Sequence, residues 1–191
     1  RFARPLLSEK QLEAKRRHWG KTLLVVLAHS WDQVERSMDL SDCINAVQTI
    51  VRQENYRQVV WLRHWKDPEA LLLPPGWIKA CNGHRSNPWF LDAMRTLLEL
   101  SEGLASNAFG THLGYGAALG NKLHWIDVEA KQNLQQLSPE KAAEEEAEWG
   151  ERERLSRELR LTLSLPASQQ QTAIKTLLDP YWGLSEQPDQ A

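Results

Sequence analysis

Ser106-Asn107-Ala108-Phe109-Gly110-Thr111-His112-Leu113-Gly114-Tyr115-Gly116-Ala117-Ala118-Leu119-Gly120 follows the apolar run Gly103-Leu104-Ala105. The apolar run reads as a buried strand. A turn at Gly110, a helix opening at Thr111 and a helix stop at Gly120 complete a strand-turn-helix unit. The first N–H groups of a helix have no partner within it, and the helix dipole favours negative charge there. Such a unit is a ready anion site, and small residues beside the turn let a ligand approach the backbone. Ser106, Asn107, Thr111, His112 and Tyr115 are the polar side chains placed to touch that ligand.

Working outward, Thr22–Ala28 (TLLVVLA) is continuously apolar and rich in branched residues, the pattern of a strand buried on both faces. Tyr56–Leu62, Trp77–Ala80, Leu104–Ser106 and Leu123–Val128 read as four more strands. Helices are expected over 8–18, from Ser41-Asp42 as cap and first-turn acid, over Trp89–Leu100 and over Thr111–Leu119. This alternation argues for an α/β fold, a Rossmann-like parallel sheet with helices on both faces, followed by a helical C-terminal tail. Residues 1–20 read as an N-terminal helical segment, 21–137 as the Rossmann-like domain and 138–183 as the tail. Residues 184–191 are expected to be disordered. Within the tail, the Glu- and Arg-rich stretch 138–163 carries i,i+4 pairs such as Glu148/Arg152 and reads as a solvated helix. A last amphipathic helix over 167–178 is expected to end at Asp179-Pro180-Tyr181-Trp182-Gly183.

The 191 residues can bury one substantial core. Lys and Arg number 23 against 25 Asp and Glu, a net charge of −2, which argues against a nucleic-acid binder. The two cysteines, Cys43 and Cys81, form no CxxC pair and are expected to be reduced and cytosolic. The longest apolar run, Leu23 to Ala28, is too short to span a bilayer, and no signal peptide is visible. A cytoplasmic location follows, with peripheral association at the inner membrane surface left open. The chain starts at Arg1 rather than Met, which leaves room for an upstream segment.

In open parallel sheets, ligands bind outside the carboxyl ends of the strands. The polar residues there are His29, Ser30 and Asp32; His64, Trp65 and Lys66; Asn82, His84 and Arg85; Ser106, Asn107, Thr111 and His112; and Asp127 and Glu129. Four of the six histidines fall on this edge. Each also has a plainer reading: Thr111 as an N-cap, Tyr115 as core packing, and His29, Asp32, His64 and Trp65 as loop residues at the rim of a pocket. The histidines lack HxH or HExxH spacing, so no metal site is expected. No GxxxxGK[ST], no GxGxxG after the first strand and no GxSxG occurs, which lowers the case for a P-loop NTPase, a dinucleotide dehydrogenase and an α/β hydrolase.

Gly83-His84-Arg85, the helix ending Leu97-Leu98-Glu99-Leu100, and Ser106-Asn107-x-x-Gly110-Thr111-His112-x-Gly114-Tyr115 with Gly120 resemble the donor-binding, C-terminal half of GT-B type glycosyltransferases of bacterial capsular and surface polysaccharide synthesis. The resemblance covers roughly residues 21–128. It implies a domain that takes a nucleotide-sugar as substrate, without cofactor, and a glycan acceptor. The donor phosphates would sit with Ser106, Asn107, Gly110, Thr111, His112 and Tyr115, and His84 and Arg85 would stabilise the leaving phosphate. It also implies a second Rossmann-like domain with the acceptor base. Only one such domain fits in this chain, so the other would lie on a missing N-terminal segment or on none. A non-catalytic nucleotide- or glycan-binding module, and a hydrolase or epimerase of phosphorylated sugars, remain as alternatives.

Overall fold

The computed structural model describes residues 3–31, 33–67 and 72–185. Helix α1 (Glu9–Trp19) leads into β1 (Thr22–Val26). Then come β2 (Glu35–Ser37), α2 (Leu40–Glu54), β3 (Gln58–Leu62), β4 (Ile78–Ala80) and α3 (Phe90–Glu99). After these follow β5 (Gly103–Ser106), α4 (Thr111–Leu119), β6 (Lys122–Trp125), β7 (Lys131–Asn133), α5 (Pro139–Leu163) and α6 (Ala167–Trp182). Five strands form one parallel sheet in the order β4-β3-β1-β5-β6. The α/β architecture and the parallel sheet match the sequence reading.

β1 lies at the centre of the sheet, which is why its run is apolar at every position. Leu24 and Val26 face one core with Val60, Leu62, Leu98, Leu104, Leu113, Leu155, Leu159 and Leu178. Leu23 and Val25 face the other, with Cys43 and Val47 of α2, Val59, Trp61 and Ala105. Helices α3 to α6 therefore supply one face and α2 the other. Asn121 Nδ2 closes a buried joint by donating to the Leu98 and Ser101 carbonyls at 3.1 and 2.5 Å.

Several local expectations are corrected. β1, β3, β4 and β6 are shorter than the expected strands, while β5 is one residue longer. Helix α2 starts earlier than expected: Asp39 is its cap, accepting from the Asp42 N–H at 3.0 Å, and Ser41 lies within the helix. The N-cap of α4 is Gly110, not Thr111, and no side chain caps this end. β2 and β7 pair antiparallel in a short ribbon that neither sequence pattern announced. Helix α5 is not merely a solvated helix, since Leu155, Leu159 and Glu145 are buried. Helix α6 runs to Trp182 and is capped by Gly183, within the expected stop, and Pro180 inside it removes one backbone hydrogen bond of the last turn. Trp182 packs on Phe109, ring centroids 5.3 Å apart, and fills the space left by the missing side chain of Gly114. Leu184 packs on the core and Ser185 bonds Asp179, so the start of the expected disordered tail is ordered. Residues 186–191 of that tail lie outside the described residues.

Candidate functional site

From central β1, the chain reaches β3 and β4 on one side, then crosses to β5 and β6 on the other. The crevice at the carboxyl ends of β1 and β5 is thus a topological switch point, the place where open α/β sheets bind ligands. A cavity of about 900 Å³ occupies it. Leu27–Trp31 after β1, Arg63–Trp65 and Asp67 after β3, Asn82, His84 and Arg85 after β4, and Ala108–His112 after β5 line it. Its outer wall comes from the tail: Glu148, Trp149, Arg152 and Leu155 of α5, with Tyr181 and Trp182 of α6.

The four histidines of the strand edge all reach this cavity. His29 and His64 stack with ring centroids 4.3 Å apart and planes 16° from parallel. Trp65 lies against His64 and meets His84 edge-on at 5.1 Å. Burial holds the His29 imidazole below its ordinary range and pushes His112 down to about 4. Both are held toward the neutral form, and arginines also line the cavity. Arg36, Arg63, Arg85 and Arg152 line it against the acids Asp67 and Glu148. Asp67 accepts from the His64 N–H at 2.7 Å, and Glu148 pairs with Arg152 at 2.9 Å. Arg85 lies over the Trp31 ring at 5.8 Å and Arg36 over Trp149 at 4.5 Å.

The opening of α4 faces the same space through Gly110, Thr111 and His112. Gly110 supplies no side-chain cap and the Leu113 N–H is taken by the Gly110 carbonyl at 3.0 Å, which leaves the Thr111 and His112 N–H groups for a ligand. Ser106 and Asn107 do not line the cavity, a correction to the expected donor site. Fully buried Ser106 Oγ donates to the Ala108 carbonyl at 3.0 Å and lies 2.8 Å from His112 Nε2. The bond between Oγ and Nε2 holds the ring in place whichever of the two carries the proton. Ser106 thus fixes the imidazole. Asn107 staples two loops: Oδ1 accepts from the Ala28 N–H at 2.8 Å, and Nδ2 donates to the Val128 carbonyl at 3.0 Å. Tyr115 is half-buried against the core, away from the cavity. Asp127 pairs with Arg160 at 2.9 Å. Asp32 lies outside the described residues.

Arg36 was missed in sequence, because nothing marks a lone arginine between two loops. Its side chain is 6% exposed and pairs at 2.7 Å with Glu145, itself 7% exposed. It also donates to the His29 carbonyl at 3.2 Å. Its Nε, and Nδ2 of buried Asn82, are buried donors with no acceptor among the described residues. Both residues line the cavity. A buried donor left unpaired costs about 1–3 kcal/mol.

No family model, no curated protein and no solved structure matches this chain. Among the described residues no helix is long and apolar enough to cross a membrane.

Proposed function

We propose that the chain binds a nucleotide-sugar and acts as the donor half of a glycosyltransferase. The observation that carries this reading is the cavity itself: an uncapped helix N-terminus, four arginines and a wall of aromatic rings meet at the switch point of a parallel sheet. Its volume lies in the range of small-molecule sites. The diphosphate takes the α4 N–H groups, with Arg85 and Arg36 compensating its charge. Trp31, Trp65 and Trp149 offer flat faces for the base and for the sugar's C–H groups. When the glycosidic bond to phosphate breaks, negative charge develops on the leaving oxygen, and donors already aimed at it lower the barrier. The resemblance carried by Gly83-His84-Arg85 and by 106–120 extends the reading to surface-polysaccharide synthesis on a glycan acceptor, in the cytoplasm at the membrane surface. A non-catalytic nucleotide- or glycan-binding module is the second reading. It is favoured by the engagement of Asp67 and Glu148, the two carboxylates that line the cavity among the described residues.

Calorimetry with UDP, GDP, dTDP, ADP and CMP tests the proposal, on the wild-type chain and on Thr111→Val/His112→Ala. Saturable binding of one nucleotide, weakened at least tenfold by the double substitution, is the expected result. Binding by none of them refutes the donor reading. Binding without sugar transfer in the presence of acceptor moves the non-catalytic module ahead.

A further inference from the structure

The loop after β1 places His29 between the loops that follow its two neighbouring strands. Val26 of β1 pairs with Ser106 of β5 on one side and with Leu62 of β3 on the other. The Ala28 N–H donates to Asn107 Oδ1 at 2.8 Å, which ties the backbone beside His29 to the turn that opens α4. On the other side the His29 ring stacks on His64 at 4.3 Å, and Arg36 Nη1 donates to the His29 carbonyl at 3.2 Å. A solvent-accessible imidazole is thus held in the cavity beside the helix opening that is proposed to take the donor phosphates. One ring N–H of His29 has the Leu27 carbonyl as its acceptor, so in the neutral ring the second nitrogen is itself an acceptor. The other three imidazoles of the cavity are arranged differently. Nδ1 of His84 accepts from the Ser86 N–H at 3.2 Å and Nδ1 of His64 from the Lys66 N–H at 3.4 Å, so in each neutral ring the proton lies on Nε2. Nε2 of His112 is taken by Ser106 Oγ. Of the four, His29 is the ring whose tautomer suits it to receive a proton. The surrounding cavity walls desolvate it and hold it toward the neutral form; Arg36 and Arg152 add to this, and Asp67 opposes it. His64, stacked on it, and His112, in the first turn of α4, are the other titratable groups that face it.

We propose that His29 is the general base of this site and takes the proton of an acceptor hydroxyl as that oxygen attacks the anomeric carbon of the bound donor. The role rests on the donor reading above. In the step, the acceptor O–H bond breaks and its proton passes to the acceptor nitrogen of His29. The acceptor oxygen bonds to the anomeric carbon. The bond from that carbon to the phosphate oxygen breaks, and its electron pair stays with the phosphate, which leaves as the nucleoside diphosphate. The imidazolium then returns the proton to water, which reaches the ring through the cavity mouth. Water itself serves as the acceptor when no glycan is present. The chain thereby carries a base of its own rather than leaving that role to another domain.

Hydrolysis of UDP-, GDP-, dTDP- and ADP-glucose by the whole chain, followed by phosphorus NMR, tests this beside calorimetry with the same four compounds. Wild type is expected to bind one of them and to release its nucleoside diphosphate. His29→Gln is expected to bind that donor within about twofold of wild type, which also shows that it is folded, and to cleave it more slowly by about a hundredfold or more. Wild-type kcat is expected to fall as pH drops below about 6.5, because the base must be unprotonated, and this limb is expected to be lost from His29→Gln. Added imidazole is expected to restore part of the rate of His29→Ala, which it would not do for a ring needed only in packing. Binding without cleavage by wild type overturns this inference and leaves the donor reading standing. Binding of none of the four overturns the inference, and with no nucleotide bound either it takes the donor reading with it. Cleavage by His29→Gln at the wild-type rate, or imidazole that restores nothing, overturns the base role alone. Donor affinity lost together with cleavage makes His29 a binding residue and overturns it as well.

Discussion

Glu145→Leu is the perturbation with the largest consequence. Glu145 and Arg36 meet at 2.7 Å with side chains 7% and 6% exposed. Removing one partner of a buried pair leaves an uncompensated charge and costs about 3–5 kcal/mol. Arg36 keeps the His29 carbonyl and the Trp149 ring, so the lower end applies, about 3 kcal/mol. For a chain of this size, 1 kcal/mol moves the melting temperature by about 2–4 °C, which gives a fall of about 6–12 °C. Urea unfolding followed by near-UV circular dichroism reads the free energy directly. The companion variant Arg36→Met/Glu145→Leu removes both charges and should recover most of the loss, giving a coupling energy of at least about 2 kcal/mol. A Glu145→Leu loss below about 1 kcal/mol, or a double variant equal to the sum of the singles, refutes the reasoning. In that case α5 is not held to the ribbon by this pair.

Three other outcomes follow from the same geometry. His112 is held neutral, down to about 4, while its unfolded value is near 6.5; the unfolded chain therefore binds the extra proton first, and stability falls as pH drops from 6.5 toward 4. The loss approaches roughly 3 kcal/mol at the low end, and the gap between urea midpoints at pH 7 and pH 5 should narrow in His112→Gln without closing, because burial holds His124 down to about 4 as well. Gly114→Ala places a Cβ against the Trp182 indole and should cost about 1–3 kcal/mol, with weaker nucleotide binding by calorimetry, because Trp182 lines the cavity. Asp127→Asn breaks an exposed pair with Arg160 and should change stability by no more than about 0.5 kcal/mol and leave nucleotide affinity unchanged in the same titrations.

The fold was legible where burial is two-sided. β1 shows no alternation because both faces are covered, so TLLVVLA could be read as a central strand from composition alone. Helix α4 was legible to the residue, because Gly110 and Gly120 punctuate it. The histidine cluster was legible because strand ends in a parallel sheet share one edge. The ribbon was not: three-residue strands such as ERS and KQN carry too little pattern to register, and their pairing spans roughly a hundred residues. Helix α5 was misread because Glu and Arg dominate its surface, and Leu155 and Leu159 were outweighed by their charged neighbours. Ser106 and Asn107 were placed correctly but given the wrong task. Short polar side chains at a strand end bond the local backbone as readily as a ligand. Sequence reveals their polarity and not their direction.

Arg36 raises the question of why a buried charge stands where an apolar residue would hold α5 equally well. Well-packed hydrophobic residues commonly replace a buried ion pair at no cost in stability, so the pair is weak evidence of a structural need. Its geometry offers a different reason. Glu145 and the His29 carbonyl take two corners of the guanidinium, Trp149 covers its face, and the residue lines two adjoining cavities. A cation clamped on three sides loses little freedom when a ligand arrives, so its remaining bond contributes more fully to affinity. The charge is then explained by binding rather than by stability, and the two roles separate in one variant. Arg36→Met/Glu145→Leu should unfold within about 1 kcal/mol of wild type and bind nucleotide at least tenfold more weakly. A double variant that binds nucleotide as well as wild type would show that the cation serves only to hold the tail.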